Sequence, residues 1–360
     1  MSMRTGVSRR KALPIALAAI LAMGSTIASH AASAQIRLLE TGSTLLYPLF
    51  NLWVPVYAKT HPGVQITTQG TGSGTGISEA INGVAQIGAS DAYMSPAQVR
   101  MHPMLNIPLA ISSQMVNYNI PGLNNRHLKL SGPALAAMYS GKIRYWDDPM
   151  LRELNPGVRL PHKEIVLVHR TDGSGDTFIF SQYLSFSTPS WNNSVGYGTT
   201  ISWPAVEGGI GAEGNPGMVN ACKGTPYSVA YIGISFKSAT EQAGLGEAML
   251  KNRSGRFVLA NPRTVNAAVN AMAAKTPPDE RISLIFAPGA DSYPIINYEY
   301  SIINPRQPDA ATANALKSFL LWASDPRYGS APHFMQAVGF VPLPAPIVKL
   351  SRAQIEKIGS

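Results

Sequence analysis

From Gln35 onward, short runs rich in β-branched and alternating residues take turns with longer runs whose apolar positions recur at helical spacing. IRLLETGS reads as a strand entering a turn. LYPLFNLWVPVYAKTHPG follows, with Leu46, Phe50, Trp53 and Tyr57 near helical spacing and a stop at Pro62-Gly63. VQITTQG alternates like a strand, TGISEAINGV reads as a helix and AQIGASD as the next strand. LNIPLAISSQMVNYNIPG is a long β-rich stretch, and GPALAAMYSG a helix. EIVLVHRTDGSG is a strand entering a glycine turn, and DTFIFSQYLSF is the helix after it. PIINYEYSIIN is again strand-rich, and AATANALKSFLLWAS is a strong helix near the end. This alternation argues an α/β protein with largely parallel sheets. No internal repeat or low-complexity tract interrupts it.

Residues 1–34 stand outside the pattern. MSMRTGVSRRK is basic without acids, ALPIALAAILAMG is apolar but short for a membrane span, and Ala32-Ser33-Ala34 is a small-residue cleavage pattern. Together they predict a cleaved export signal spanning 1–34. SRRKAL also resembles a twin-arginine signal, so both export routes stay open. No cysteine near the cleavage point could carry a lipid, and no later stretch is long and apolar enough for a transmembrane helix. Losing Arg4, Arg9, Arg10 and Lys11 lowers the formal charge from +9 to +5.

With 360 residues, two domains of roughly 150 fit the length. Hydrophobic content of 45% against 14% charged excludes a disordered chain. Mild basicity suits an anionic small ligand or surface. No Lys/Arg block interleaved with aromatics supports nucleic-acid binding. Cys222 is the only cysteine, which excludes an intramolecular disulfide and reads as a buried or simply free thiol. The scattered histidines show neither HxH nor HExxH spacing, so no metal is expected.

Three segments share one design: a β-run, a turn rich in Gly and Ser/Thr, then a helix. They are ETGSTLLYP (40–48), QGTGSGTGISEA (69–80) and HRTDGSGDTF (169–178). A helix start offers unpaired N–H groups and partial positive charge, hence an anion site. Ser73 or Ser174 alone would read as an N-cap. Three such turns, one with Arg170, point to a shared oxyanion site. GTGSGTG lacks the Lys-Ser/Thr of a phosphate-binding loop, and Thr75 stands where GxGxxG needs its third glycine. None of the turns contains GxSxG. His169, Asp172 and Ser174 are the residue types of a hydrolase triad, but crowding on one turn argues against triad geometry.

At these turns the chain resembles the exported phosphate-binding proteins of high-affinity phosphate ABC transporters, the PstS type. TGSTLLYPLF, QGTGSGTGI, IGASDAYMS and VHRTDGSGDTF carry the match, and GKIRYWDDPMLRELNPG, VAYIGISF and PIINYEYSIIN also fit. The resemblance covers essentially everything after the leader. It implies a two-lobed periplasmic-binding-protein fold of type II, each lobe a mixed sheet flanked by helices, with a two-segment hinge. Lobe I would hold 36–112 plus 296–360, and lobe II 113–295. It implies phosphate held by Thr44, Leu45 (main-chain N–H), Ser73, Asp91, Arg170, Ser174, Gly175 and Asp176, with Asp172 supporting Arg170. Asp176 departs from the commoner Thr at its position. No catalysis, cofactor or metal is implied. The partners would be inorganic phosphate and a membrane permease, for a monomer working in the periplasm or another extracytoplasmic space.

Two acids near an anion then make sense. Phosphate near neutral pH keeps a proton and sulfate does not. A desolvated carboxylate gains a hydrogen bond from P–OH and meets only lone pairs on sulfate, and leaving such a group unpaired rejects a ligand by about 10⁴–10⁵. Asp91 is the strong candidate and Asp176 a possible second. The rival readings are a sulfate or molybdate receptor, which Asp91 argues against, and a secreted phosphomonoesterase, which would need a metal cluster the sequence lacks. An added adhesion role stays open.

Overall fold

The computed structural model describes residues 35–359. In chain order the strands are β1 (Ile36–Gly42), β2 (Val64–Gly70), β3 (Ile87–Ser90), β4 (Leu105–Asn119), β5 (Lys129–Leu130), β6 (Val166–Arg170), β7 (Ile210–Ala212), β8 (Ser228–Gly233), β9 (Gly246–Glu247), β10 (Met249–Lys251), β11 (Phe257–Val258) and β12 (Ile296–Ile303). The main sheet runs β2-β1-β3-β12-β4-β8-β6-β7, with β9 beside β4; β11-β10-β5 form a small second sheet. The predicted strands and helices of the alternating pattern all form.

The outer strands pair in parallel: β1 with β2 and β3, and β6 with β7 and β8. The centre is antiparallel, because β12 lies between β3 and β4, and β4 lies against β8. The sheet is therefore mixed, as the family resemblance implies, rather than largely parallel, as the alternation alone suggests. Local periodicity is blind to strand direction, and β12 inserts from far along the chain. β4 is the seam of the sheet: residues 105–113 pair with β12, and 114–119 with β8. Its interior is wholly buried, and the buried polar residues Ser112, Ser113, Gln114 and Asn117 cluster near the point where it changes partner.

Helices begin directly after three site-bearing strands: Tyr47–Thr60 after β1, Ser73–Ile81 after β2 and Gly175–Ser187 after β6. The first buries Leu49, Phe50, Trp53 and Tyr57, and the Trp53 indole donates to the Gly329 carbonyl at 2.7 Å. Gly42, at φ 139°, brings β1 so close to β3 that a Cβ would sit 2.0 Å from the Ala89 oxygen. That approach lets the Ser43 N–H bond Ala89 O at 2.9 Å and sets the turn that follows. Cys222 is buried and accepts from the Ser228 hydroxyl at 3.3 Å, as a structural thiol. No helix among the described residues is long and apolar enough to cross a membrane.

Glu40 in β1 is fully buried, bonded by the Thr68 hydroxyl on β2, and its Oε1 has no partner among the described residues. Burial pushes its carboxyl up to about 8. A raised acid stabilises the fold while protonated, so this contribution is complete below the ordinary value and is lost as pH rises toward about 8. In that window the parent should lose stability relative to Glu40→Gln by about 1.4 kcal/mol per pH unit. Denaturant midpoints across pH test this; parallel curves would contradict it.

Candidate functional site

The structure gathers the three predicted turns at one place. The turn opening the 73–81 helix meets the turn opening the 175–187 helix, where the Gly74 N–H donates to Gly173 O at 2.8 Å. Glycine is required on both sides. A Cβ on Gly175 would lie 2.4 Å from both Asp91 Oδ2 and Ser73 Oγ, and one on Gly72 would lie 2.5 Å from Asp172 Oδ2. Thr44, in the turn after β1, accepts from Asn215 N at 3.2 Å and Asn215 Nδ2 at 3.0 Å.

Arg170 ends β6 with its side chain 1% exposed. Its Nε donates to Asp172 Oδ1 at 2.6 Å, its Nη2 donates to Asp172 Oδ2, and its Nη1 donates to Asp176 Oδ2 at 2.9 Å. A guanidinium has five N–H groups. Two therefore stay unclaimed among the described residues, one on each terminal nitrogen, and that is the fork that suits an oxyanion. Burial works against this cation, but the two carboxylates outweigh it and hold the guanidinium above its ordinary value. Against its own partial burial, Asp172 is held low by the bonds from Arg170. Asp172 thus forms an ion pair with Arg170.

Asp176 accepts from Gln114 Nε2 at 2.9 Å on one oxygen, and from Arg170 and Asn215 Nδ2 (2.7 Å) on the other. Burial raises its carboxyl, while Arg170, Gln114 and Asn215 oppose the rise. Ser174 caps its helix by accepting the Thr177 N–H at 3.1 Å. The N–H groups of Gly175 and Asp176 lie in the first turn, where the helix offers no acceptor. The Leu45 N–H is taken by Ser43 Oγ at 3.1 Å, as is that of Leu46 at 2.9 Å.

Asp91, just past β3, is buried. Ser43 donates to its Oδ1, and the Ser73 hydroxyl lies 3.4 Å from Oδ2 and accepts the Asp91 N–H at 3.1 Å. No cation pairs with it among the described residues. Burial first, then the charges of Glu299 and Asp176, hold its carboxyl well above the ordinary range.

Four residues escaped the sequence reading: Ser43, Gln114, Asn215 and Glu299. Asn215 is the most connected, since its Oδ1 also accepts the Gly233 N–H at 2.8 Å. Its signal was present: GAEGNPG is a fourth glycine-rich turn between a strand (β7) and a helix (Gly214–Gly224). Gln114 sits where β4 changes partner, a position no local pattern marks.

This arrangement has known relatives. A profile of the PBP superfamily domain matches residues 28–326. The phosphate-binding protein PstS of Methanocaldococcus jannaschii is 35% identical over 337 residues, covering 88% of this chain and 85% of that protein. This chain belongs to the PstS family. The Haemophilus influenzae PstS is 31% identical, covering 87% of this chain and 90% of its own. Among solved structures, a high-affinity periplasmic phosphate-binding protein bound with phosphate superposes with a TM-score of 0.69 at 22% identity, covering 88% of this chain and 93% of that one. The phosphate-binding protein of Stenotrophomonas maltophilia gives 0.66 at 18%, with the same coverage. At such identities the likeness is one of fold, and the expected type II periplasmic-binding-protein class holds.

Asn215→Ala would orphan the buried Gly233 N–H and remove a donor from Asp176. It should cost about 1–3 kcal/mol of stability. Asn215→Asp should cost more at neutral pH, because it sets a carboxylate against Asp176. Denaturant unfolding reads both; equal midpoints for the two variants would contradict the network.

Proposed function

We propose that this chain captures inorganic phosphate outside the cytoplasmic membrane and hands it to an ABC permease, without chemistry on the ligand. The observation that carries the reading is Asp91: a buried carboxyl bonded by the Ser43 and Ser73 hydroxyls and without a cation among the described residues, beside three helix-opening turns and a buried arginine. When Asp91 is ionised, a fully deprotonated oxyanion offers it only lone pairs, whereas phosphate brings P–OH. Thr44, Ser73, Ser174 and Gly175 offer the ligand hydroxyl and main-chain donors, the Leu45 N–H joins them only by leaving Ser43 Oγ, and Arg170 supplies its two unclaimed N–H groups. Asp172 holds the arginine in place. Asp176 mainly fixes Arg170 and Asn215, and one of its acceptor positions is left for the ligand.

Lobes of 36–112 plus 296–360 and of 113–295 close over the ligand in this reading. Two features support that division: β4 changes partner between Ser113 and Gln114, and β12 starts at Ile296. Lobe closure is a standard way to bury a small ligand. Residues 1–34, proposed as the export signal, lie outside the described residues.

Titration calorimetry with phosphate tests the site. Arg170→Ala should abolish tight binding, losing two charge-assisted hydrogen bonds of about 1.5–3 kcal/mol each. Arg170→Lys keeps the charge without the fork and should fall between parent and Ala. An Arg170→Ala variant that binds like the parent would place the ligand elsewhere. Small-angle scattering should show a smaller radius of gyration with saturating phosphate; identical curves would count against closure.

A further inference from the structure

We infer that Glu299 decides which oxyanions the site admits, by sharing a single proton with Asp91. The inference rests on the phosphate-site reading above. Glu299 lies on β12 and is fully buried. Its Oε1 accepts from the Ser112 hydroxyl and from Asn297 Nδ2 at 3.0 Å. The same amide nitrogen lies 3.3 Å from the main-chain oxygen of Asp91, which ties the two acids together. Glu299 Oε2 receives no donor from any described residue. One step beyond the antiparallel pairing of Tyr300 with Ser90, Glu299 falls across from Asp91, and residues directly opposite on neighbouring strands present their side chains to the same face.

The charged surroundings hold no remedy for two negative charges here. From the 175–187 helix the group facing both acids is Asp176, another carboxylate, whose cation Arg170 is already shared with Asp172. The groups from the other elements are neutral: Ser43, Ser73, Ser112 and Asn297. Two ionised carboxylates in a dry, cation-free contact repel, so such pairs titrate as a unit and hold a proton between them. That proton also satisfies the otherwise orphaned Oε2. Burial, the largest cause for both, keeps the two carboxyls above the ordinary carboxylate range.

The shared proton gives Asp91 two faces. With the proton on Glu299, Asp91 accepts from P–OH. With the proton on Asp91, its O–H donates to a bare oxyanion oxygen. No bond other than O–H is made or broken, and the proton stays within the pair. The protonated pair therefore tolerates sulfate, and the deprotonated pair excludes it. Rejection of sulfate becomes a function of pH, set by Glu299.

The test is calorimetric titration with sulfate, from mildly acidic to mildly alkaline pH, on the parent and on Glu299→Gln. Sulfate does not titrate in this range, so any trend belongs to the protein. In the parent, sulfate binding should be measurable at acidic pH and weaken by up to about tenfold per pH unit as the pair loses its proton. In Glu299→Gln an amide N–H donates to Asp91 and keeps it an acceptor, so sulfate binding should be weak and flat throughout. Equal pH trends in both proteins, or no sulfate binding by the parent at any pH, would overturn the inference. Should the variant fail to fold, the parent still decides: sulfate binding at alkaline pH, compared in buffers of different ionisation enthalpy, should take up about one proton, and zero uptake would overturn the idea. Phosphate titrations of the parent run alongside. Phosphate binding with failed sulfate predictions removes only the role of Glu299, whereas no phosphate binding removes the function reading as well.

Discussion

A guanidinium sealed from water cannot stay there without anions around it. Taking a charge out of water costs several kcal/mol, which only close partners and complete hydrogen bonding repay. Arg170 meets that demand with Asp172 and Asp176, both supplied by its own turn. The spacing of the three residues is thus a consequence of the burial: β6 delivers the arginine, the glycines let the chain fold back over it, and the helix start presents Asp176. Neither acid consumes the whole fork. The arginine is held rigid while two N–H groups remain available, which is the preorganisation that an anion site needs.

The same demand spreads outward. Asp176 needs more than one donor, and it draws them from Gln114 on the seam strand β4 and from Asn215. Asn215 in turn reaches Thr44 in the turn after β1 and Gly233 at the end of β8. One asparagine therefore couples strands that lie far apart in the sheet. On the other side, Asp91 rests on Ser43 and Ser73, with Glu299 across from it on β12. Hydroxyl partners and a shared proton take the place of a cation there. One part of the site is built around a fixed positive charge, and the other around a carboxyl left without one. A protonated oxyanion satisfies both.

Much of this was legible in the sequence, for a specific reason. Strand, glycine turn and helix start are local devices, so the turns at 40–48, 69–80 and 169–178 announce themselves, as does the arginine among glycines. The local pattern read as largely parallel, and the mixed sheet was expected only through the family resemblance, because direction and neighbour are decided by β12 arriving from far along the chain. Glu299 was hidden for a related reason. In an alternating run such as INYEYSII a glutamate reads as the solvent-facing position, yet every residue of β12 is buried. Asn215 was within reach, since its turn repeats the design of the other three but lacks their Ser/Thr. Gln114 was not, because its importance comes from lying where β4 exchanges one neighbour for another.

The central claim is that a desolvated acid and a buried arginine select a protonated oxyanion. Equilibrium dialysis of the protein against radiolabelled phosphate at mildly alkaline pH, with and without a large excess of sulfate, tests it most directly. The account predicts saturable phosphate retention at one site per chain that sulfate leaves in place. Displacement of the label by sulfate as readily as by unlabelled phosphate would contradict it.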